Sequence, residues 1–278
     1  MHVDWAVRGP LLVAAGEVTA PMVDQALSWL AGRVPGARRV LDLGSGPGVA
    51  ACTLAELLPG CEVLAVDGAP ELLDLAGRRA ADRGLSDRVT VRPARLPEEL
   101  PALPPADLVW VSGVAHHMPD PAAAVREMAA LVRPGGVLAL REGGLPLRCL
   151  PNAADGGLFA RLDVVQAEAS HHHHHPLGAI DAPRGWPQLL REAGLTDVRS
   201  RTFLLDLPAP LSGPARQHLR DHLRDYREML ADRLSAADLG RLDHLTGDTD
   251  PQSVLHREDV FLLTAATVHT GTRSPAQG

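Results

Sequence analysis

Between residues 38 and 144 short apolar runs alternate with stretches of helical spacing. The runs are Val40-Leu41-Asp42-Leu43, Val63-Leu64-Ala65-Val66, Val89-Thr90-Val91, Leu108-Val109-Trp110-Val111 and Val137-Leu138-Ala139-Leu140. They are nearly continuous in apolar character, as strands must be when helices cover both faces of a parallel sheet. Between them, residues 49–58, 70–84 and 121–132 carry apolar positions at helical spacing. Pro70 and Pro121 stand where a first helical turn tolerates a missing N–H. Strand–helix alternation predicts right-handed crossovers and a doubly wound α/β sheet.

Upstream, residues 21–32 read as one amphipathic helix starting near Thr19, with Met22, Ala26, Leu27, Trp29 and Leu30 as its apolar stripe. Residues 1–18 show no assignable period. Downstream the pattern changes. Residues 145–187 hold several prolines and glycines, the histidine run His171 to His175 and one helical stretch, 158–168. A helix over 186–193 closed by Gly194, a strand over 198–207, a charged helix over 214–233, a helix over 236–245 and a strand over 259–268 complete the pattern. The expected organisation is an N-terminal helical or lid segment (1–37), a ligand-binding core (38–144), a cap or lid insertion (145–187), the remainder of the same sheet with inserted helices (188–270) and a disordered tail (271–278). Residues 145–187, with the first 18, are expected to form a mobile lid, because proline and glycine flank the edge where a ligand must enter.

Composition narrows the function. The chain of 278 residues is 45% hydrophobic and 22% charged, an ordinary globular balance. No apolar run approaches the roughly 20 residues of a membrane span. A net charge of −7 gives no long-range attraction to a phosphate backbone. All 27 basic residues are arginine. That removes the lysine of a Walker A loop, of a pyridoxal-phosphate Schiff base and of a protein kinase. Cys52, Cys61 and Cys149 form no CxxC pair, so a reducing compartment and a packing role are expected. The first residues lack a basic run followed by an apolar core, and a cytoplasmic location is the expectation. The lone Ile180 and lone Asn152 amid abundant Ala, Leu, Gly, Pro and Arg point to GC-rich coding.

The chemistry concentrates in Asp42-Leu43-Gly44-Ser45-Gly46-Pro47-Gly48. This tight strand-to-helix turn lets a ligand approach the backbone, and the helix N-terminus adds unsatisfied N–H groups. The second strand ends in Asp67, whose carboxylate can accept both hydroxyls of a ribose. A dinucleotide turn would read G-x-G-x-x-G, with Ala51 at its third position here. Pro47 removes an N–H that a pyrophosphate wants, and Asp42 faces the space it would fill. That suits a cationic ligand with an amino group and a sulfonium.

These residues resemble the class I S-adenosylmethionine-dependent methyltransferases. Residues 40–48 look like their first motif, and Ala65-Val66-Asp67-Gly68 like the acidic second. Asp107 to Val111 followed by His116-His117-Met118-Pro119-Asp120 is similar to their fourth strand and loop. Leu131-Val132-Arg133-Pro134-Gly135-Gly136 is similar to the turn into the fifth strand. The resemblance spans residues 38–144, making that segment an S-adenosylmethionine-binding core. It implies a Rossmann-like seven-stranded sheet with a reversed final hairpin, the strands at 198–207 and 259–268. It also implies that the methionine moiety lies against Asp42, Gly44, Ser45 and Gly46. Asp67 would take the ribose, Gly68 the adenine side, and Ser112 and Gly113 the sulfonium; S-adenosylhomocysteine would be the product. After the third strand, Arg95 and Leu96 stand where the family usually has an acid for the adenine amine, and arginine cannot accept a hydrogen bond.

His116 and His117 follow the fourth strand at the carboxyl edge, where α/β ligands bind, and titrate near neutral pH. Either could serve as a general base; loop packing is the bland alternative. Glu142, past the fifth strand, is a second candidate, against ion pairing to Arg141 or Arg148. Val111-Ser112-Gly113-Val114 lacks the acid of the magnesium-dependent members, so metal-independent catalysis is expected. His171 to His175 could chelate a metal, but low complexity or an engineered insertion accounts for such a run as well. Arg216, Arg220, Arg224 and Arg227 interleave with Asp221, Asp225 and Glu228, which reads as a salt-bridged solvated face. Trp5, Phe159, Trp186 and Tyr226 are candidate pocket walls, with core packing as the alternative.

The expected activity is methylation of an O, N or C atom of a small molecule, in bacterial specialised metabolism. Neither nucleic acid nor membrane is an expected partner, and a homodimer is the assembly allowed for. Two alternatives stand beside it: a non-methylating cyclase or rearrangement enzyme using the same cofactor, and an inert interaction module that binds a partner through the helix at 214–233.

Overall fold

A computed structural model describes residues 5–174 and 185–275. Among these, seven strands form one sheet: β1 Arg39–Leu43, β2 Glu62–Asp67, β3 Val89–Pro93, β4 Ala106–Ser112, β5 Val132–Arg148, β6 Thr196–Leu207 and β7 Leu262–Thr272. The order is β3-β2-β1-β4-β5-β7-β6. Strands β1 to β5 pair in parallel, and the order reverses between β1 and β4, the switch point where α/β folds bind ligands. β7 runs against β5: Gly135 N–H donates to the Arg273 carbonyl, and Arg273 N–H to that of Gly136. The expected seven-stranded sheet with reversed final strands is therefore present.

The helices are α1 Trp5–Ala31, α2 Val49–Leu57, α3 Pro70–Asp82, α4 Pro121–Leu131, α5 Asn152–Asp155, α6 Leu158–His174, α7 Trp186–Glu192, α8 Gly213–Met229 and α9 Ala236–Thr246. Local chemistry sets several starts. Asp120 accepts the Ala123 N–H ahead of Pro121, and Ser212 and Ser235 cap α8 and α9 in the same way.

The chain divides into two compact units. The first comprises residues 1–144, 183–203 and 266–278. One face of its sheet buries Leu41, Leu43, Val109, Val111, Leu138 and Leu140 with Val125 and Met128 of α4 and Leu189 and Leu190 of α7. Helix α1 begins well before the expected start and runs through Pro10 and Pro21, so residues 5–18 are helical rather than irregular. Its second half buries Met22, Ala26, Leu27 and Leu30, whereas the contact face of its first half is made by missing side chains. A Cβ at Gly9 would fall 2.7 Å from Leu75 Cδ1, and one at Gly16 2.9 Å from Val49 Cγ2. A face built from glycine leaves no apolar stripe, and two internal prolines argue locally against a helix that packing sustains.

The second unit comprises residues 145–182 and 204–265. The expected loose cap is largely structured in its described part. β5 continues to Arg148, and α6 buries Leu158, Phe159 and Leu162. The arginine row of α8 is not a solvated face either. Arg216 donates to the Leu211, Val254 and Arg257 carbonyls, Arg224 to Asp248 and the Thr246 carbonyl, and Arg227 to Asp243. Arg220 also pairs within its own helix, with Asp221. These bonds fasten α8 to α9 and to the chain after it. At the C-terminus β7 reaches Thr272, so the expected disorder from 271 starts too early; residues 276–278 lie outside the described residues.

Candidate active site

The glycine turn leaves β1 pinned to β2, because Gly44 and Ser45 N–H both donate to the Val66 carbonyl, at 2.8 and 3.0 Å. Gly44 has φ +70°, and a Cβ there would lie 2.4 Å from Val114 Cγ2. Only glycine fits on both counts. Gly46 has φ +53°, yet a Cβ there would meet nothing within 4 Å. Asp67, at the end of β2, closes the turn. Its Oδ2 accepts the Gly46 N–H and its Oδ1 the Ala69 N–H, both at 2.9 Å.

Asp42 is buried, and its Oδ2 has no hydrogen-bond partner among the described residues. Burial, with the Asp67 charge second, pushes its pKa up to about 7, against a hydrogen bond from the Ala51 backbone. Ser45 Oγ is also enclosed without a partner. An orphaned carboxylate oxygen and hydroxyl, beside a glycine whose Cβ direction is open, fit a ligand that brings a cationic donor. Gly68 is exposed just beyond Asp67. After β3 the Arg95 side chain is 83% exposed and pairs with Glu99, which also accepts the Arg95 N–H at 2.7 Å. Leu96 packs partly buried on the core.

At the other side of the switch point, β4 and β5 place Ser112 opposite Arg141. The Gly113 N–H donates to the Arg141 carbonyl at 3.1 Å, with φ +65° at Gly113. The next residues wrap around Glu142, which is 4% exposed. Its Oε1 accepts the Val114 and Ala115 N–H groups at 3.1 and 2.9 Å, and its Oε2 accepts from His116 Nδ1 at 2.8 Å. That hydrogen bond raises the His116 pKa, while burial opposes it. His117 stacks on His116 with ring centroids 3.8 Å apart. A relay supports the far side: Ser200 Oγ donates to His269 Nδ1 at 2.8 Å, and His269 Nε2 donates to the Glu142 carbonyl at 3.2 Å.

Glu142 thus pairs with neither Arg141 nor Arg148. Arg148 bonds Asp163, and Arg141 donates to Ser112 Oγ at 2.9 Å. The structure brings His116 and Glu142, separate candidates in the sequence, into one hydrogen-bonded pair. The four aromatic candidates divide between the two units. Trp5 and Trp186 belong to the first unit, Phe159 and Tyr226 to the second. Phe159 is 2% exposed beneath the Arg148 guanidinium, so it is core and not a pocket wall. Trp186 packs partly buried on the first unit's core, and Tyr226 stacks on His222 with centroids 4.6 Å apart. The three cysteines are free and buried, and burial raises each thiol's pKa. Of the histidine run, His175 lies outside the described residues, as do the side chains of His171 to His174. Among the described residues no group of three or more His, Cys, Asp or Glu could hold a metal ion.

A glycine turn, a ribose-type acid and an orphaned carboxylate at the switch point of an α/β sheet define a nucleoside-cofactor enzyme core. Comparison with known proteins narrows this. Residues 41–138 match the model of the methyltransferase domain family. The ubiquinone biosynthesis O-methyltransferase of Xanthomonas campestris is 38% identical over 118 residues, covering 41% of this chain and 47% of that protein. The trans-aconitate 2-methyltransferase of Azoarcus is 38% identical over 145 residues, covering 50% of this chain and 54% of that one. The chain spans about half, or less, of the length of the curated relatives it matches. Among solved structures, an O-methyltransferase family protein from Burkholderia thailandensis superposes with a TM-score of 0.54 at 19% identity, over 95% of this chain and 59% of that chain. The YcgJ protein of Bacillus subtilis gives 0.52 at 19% identity, over 90% and 99%. Residues 41–138 are thus similar to a methyltransferase domain, and the curated relatives that match this part of the chain include methyltransferases.

Proposed function

We propose that this chain transfers the methyl group of S-adenosylmethionine to an oxygen atom of a small molecule, with His116 as the general base. The observation that carries the reading is the buried Glu142 carboxylate bonded to His116 beside the glycine turn. When bound, the cofactor supplies a methyl group on a sulfonium, a good leaving group. Asp42, Gly44, Ser45 and Gly46 would hold its amino-acid end, Asp67 its ribose, Gly68 and Leu96 would lie beside the adenine, and Ser112 and Gly113 beside the sulfonium. Arg95 stays in solvent with Glu99, which leaves the adenine amine to a backbone carbonyl.

Glu142 fixes the proton of His116 on Nδ1, so Nε2 is the basic nitrogen. Nε2 would accept the proton of an acceptor hydroxyl as the methyl carbon–sulfur bond breaks, the oxygen takes the methyl group and S-adenosylhomocysteine leaves. Alignment supplies much of the acceleration, and a positioned base adds about 10² to 10⁴. The O-methyltransferase name of the Xanthomonas relative favours an oxygen acceptor. The net charge of −7 favours a small molecule over nucleic acid. GC-rich coding is compatible with bacterial specialised metabolism, and a cytoplasmic location belongs to the same reading.

The test is calorimetry with S-adenosylhomocysteine, then methyl-labelled cofactor offered with a panel of phenols and carboxylic acids. Micromolar binding and label on oxygen are the expected results. NAD binding with comparable affinity, or no S-adenosylhomocysteine binding, refutes the reading.

A further inference from the structure

We propose that Arg141 recognises a carboxylate on a ligand seated at the carboxyl edge of β4 and β5. The inference rests on the reading of this edge as the methyl-transfer site. Arg141 follows the continuous apolar run of β5 and stands opposite Ser112 in the sheet. Its only hydrogen-bond partner among the described residues is neutral: Nη1 donates to Ser112 Oγ at 2.9 Å. Its Nε is shut off from solvent and has no partner. No carboxylate among the described residues lies within ion-pair distance. Glu142, next in the chain, spends Oε1 on two backbone N–H groups and Oε2 on His116.

Other enclosed arginines of this chain are treated differently. Arg216 is met by a set of backbone carbonyls, and Arg33, whose Nε is likewise without a partner, still meets the Asp197 carboxylate. A guanidinium has five donors and no acceptor, and burying it with one hydroxyl partner is costly. The cost is offset when a ligand brings a planar anion, which the guanidinium fork meets in bidentate fashion. Burial disfavours the charged form of Arg141, and the neighbouring Glu142 charge offsets this only in part. The position also fits. Gly113 hangs from the Arg141 carbonyl, and Val114 beyond it touches Gly44 of the turn, so the guanidinium lies on the same edge as the His116–Glu142 pair.

Two molecules could bring that carboxylate: the aminoacyl end of the cofactor, or an acidic acceptor. Arg141→Gln and Arg141→Lys are compared with wild type by calorimetry, with melting temperatures as a fold check. The probes are S-adenosylhomocysteine, 5′-methylthioadenosine (which lacks the aminoacyl carboxylate), and benzoate and citrate added to the S-adenosylhomocysteine complex. If the cofactor is the source, Arg141→Gln weakens S-adenosylhomocysteine by about 10- to 100-fold and leaves methylthioadenosine unchanged. If an acceptor is the source, S-adenosylhomocysteine binding is unchanged while benzoate or citrate binding falls at least about tenfold. In either case Arg141→Lys retains part of the affinity. The proposal is overturned if a folded Arg141→Gln or Arg141→Lys protein binds S-adenosylhomocysteine like wild type and no carboxylate binding is lost. Failure of wild type to bind S-adenosylhomocysteine overturns the proposed function instead.

Discussion

His116 Nδ1 and Glu142 Oε2 are 2.8 Å apart, although 26 residues separate them in the chain. One partner is buried and the other is partly open to solvent, with side-chain exposures of 4% and 41%. A carboxylate held by two backbone N–H groups cannot swing away, so it fixes the imidazole's tautomer and orientation. This is the geometry that a base with one defined lone pair requires.

The pair predicts a pH profile. Only neutral His116 accepts a proton, so the rate falls as pH drops through its pKa, which Glu142 raises. Glu142→Gln removes the carboxylate charge, lowers that pKa and moves the acid limb of the rate profile to lower pH. Turnover on the plateau should fall by about 10² or more, as in His116→Ala, while S-adenosylhomocysteine affinity barely changes. A Glu142→Gln profile superimposable on wild type would make the pair structural. His117→Ala should cost less turnover than His116→Ala, because the proposed base is His116.

Asp42 predicts how stability depends on pH. Its folded pKa, about 7, lies above its ordinary value of 3.8. A raised pKa contributes stability that is present below the unfolded value and lost as pH rises through the folded one. Without ligand, Asp42 therefore costs stability increasingly between about pH 4 and pH 7, and by a constant amount above. Asp42→Asn should raise the melting temperature of the ligand-free protein more at pH 8 than at pH 4. Binding of S-adenosylmethionine should release a proton near pH 7 in wild type and none in the variant. Thermal melts and calorimetry in buffers of different ionisation enthalpy check both.

Gly44 and Gly46 are predicted to separate folding from binding. Gly44→Ala meets Val114 Cγ2 at 2.4 Å in a left-handed conformation. It should cost about 3 kcal/mol or more of stability and disturb the loop that carries His116. Gly46→Ala has room for its Cβ and carries only the conformational cost, about 1 kcal/mol. Its methyl group points into open space beside Asp67, so cofactor affinity should fall at least about tenfold despite a modest change in melting temperature. Denaturation and calorimetry on the two variants should rank them in opposite order.

Asp67 holds the turn and, in the proposed function, the ribose as well. Asp67→Ala removes the acceptors of the Gly46 and Ala69 N–H groups, so it should lower stability and weaken S-adenosylhomocysteine by about one to two decades. Asp67→Asn retains one acceptor oxygen and should bind more tightly than Asp67→Ala. Equal and wild-type affinities in both variants would place the ribose elsewhere.

The sequence by itself determined the parallel strands and the cofactor turn, because the signals for both are local. Val40 to Leu43 is apolar on both faces, Gly44 needs a positive φ, and Asp67 ends a strand one crossover later. The first half of helix α1 stayed hidden because Gly9 and Gly16 build its contact face by what they lack, and Pro10 contradicts a helix unless α2 and α3 are already there. The arginines of α8 read as a solvated row because their partners Asp243, Asp248 and the Thr246 carbonyl lie on other elements. Only the tertiary structure decided that Glu142 holds His116 and that Arg141 is left with Ser112. β4 and β5 are neighbours through a hydrogen-bonded register, Ser112 opposite Arg141. No periodicity within either strand encodes which strand it will lie against.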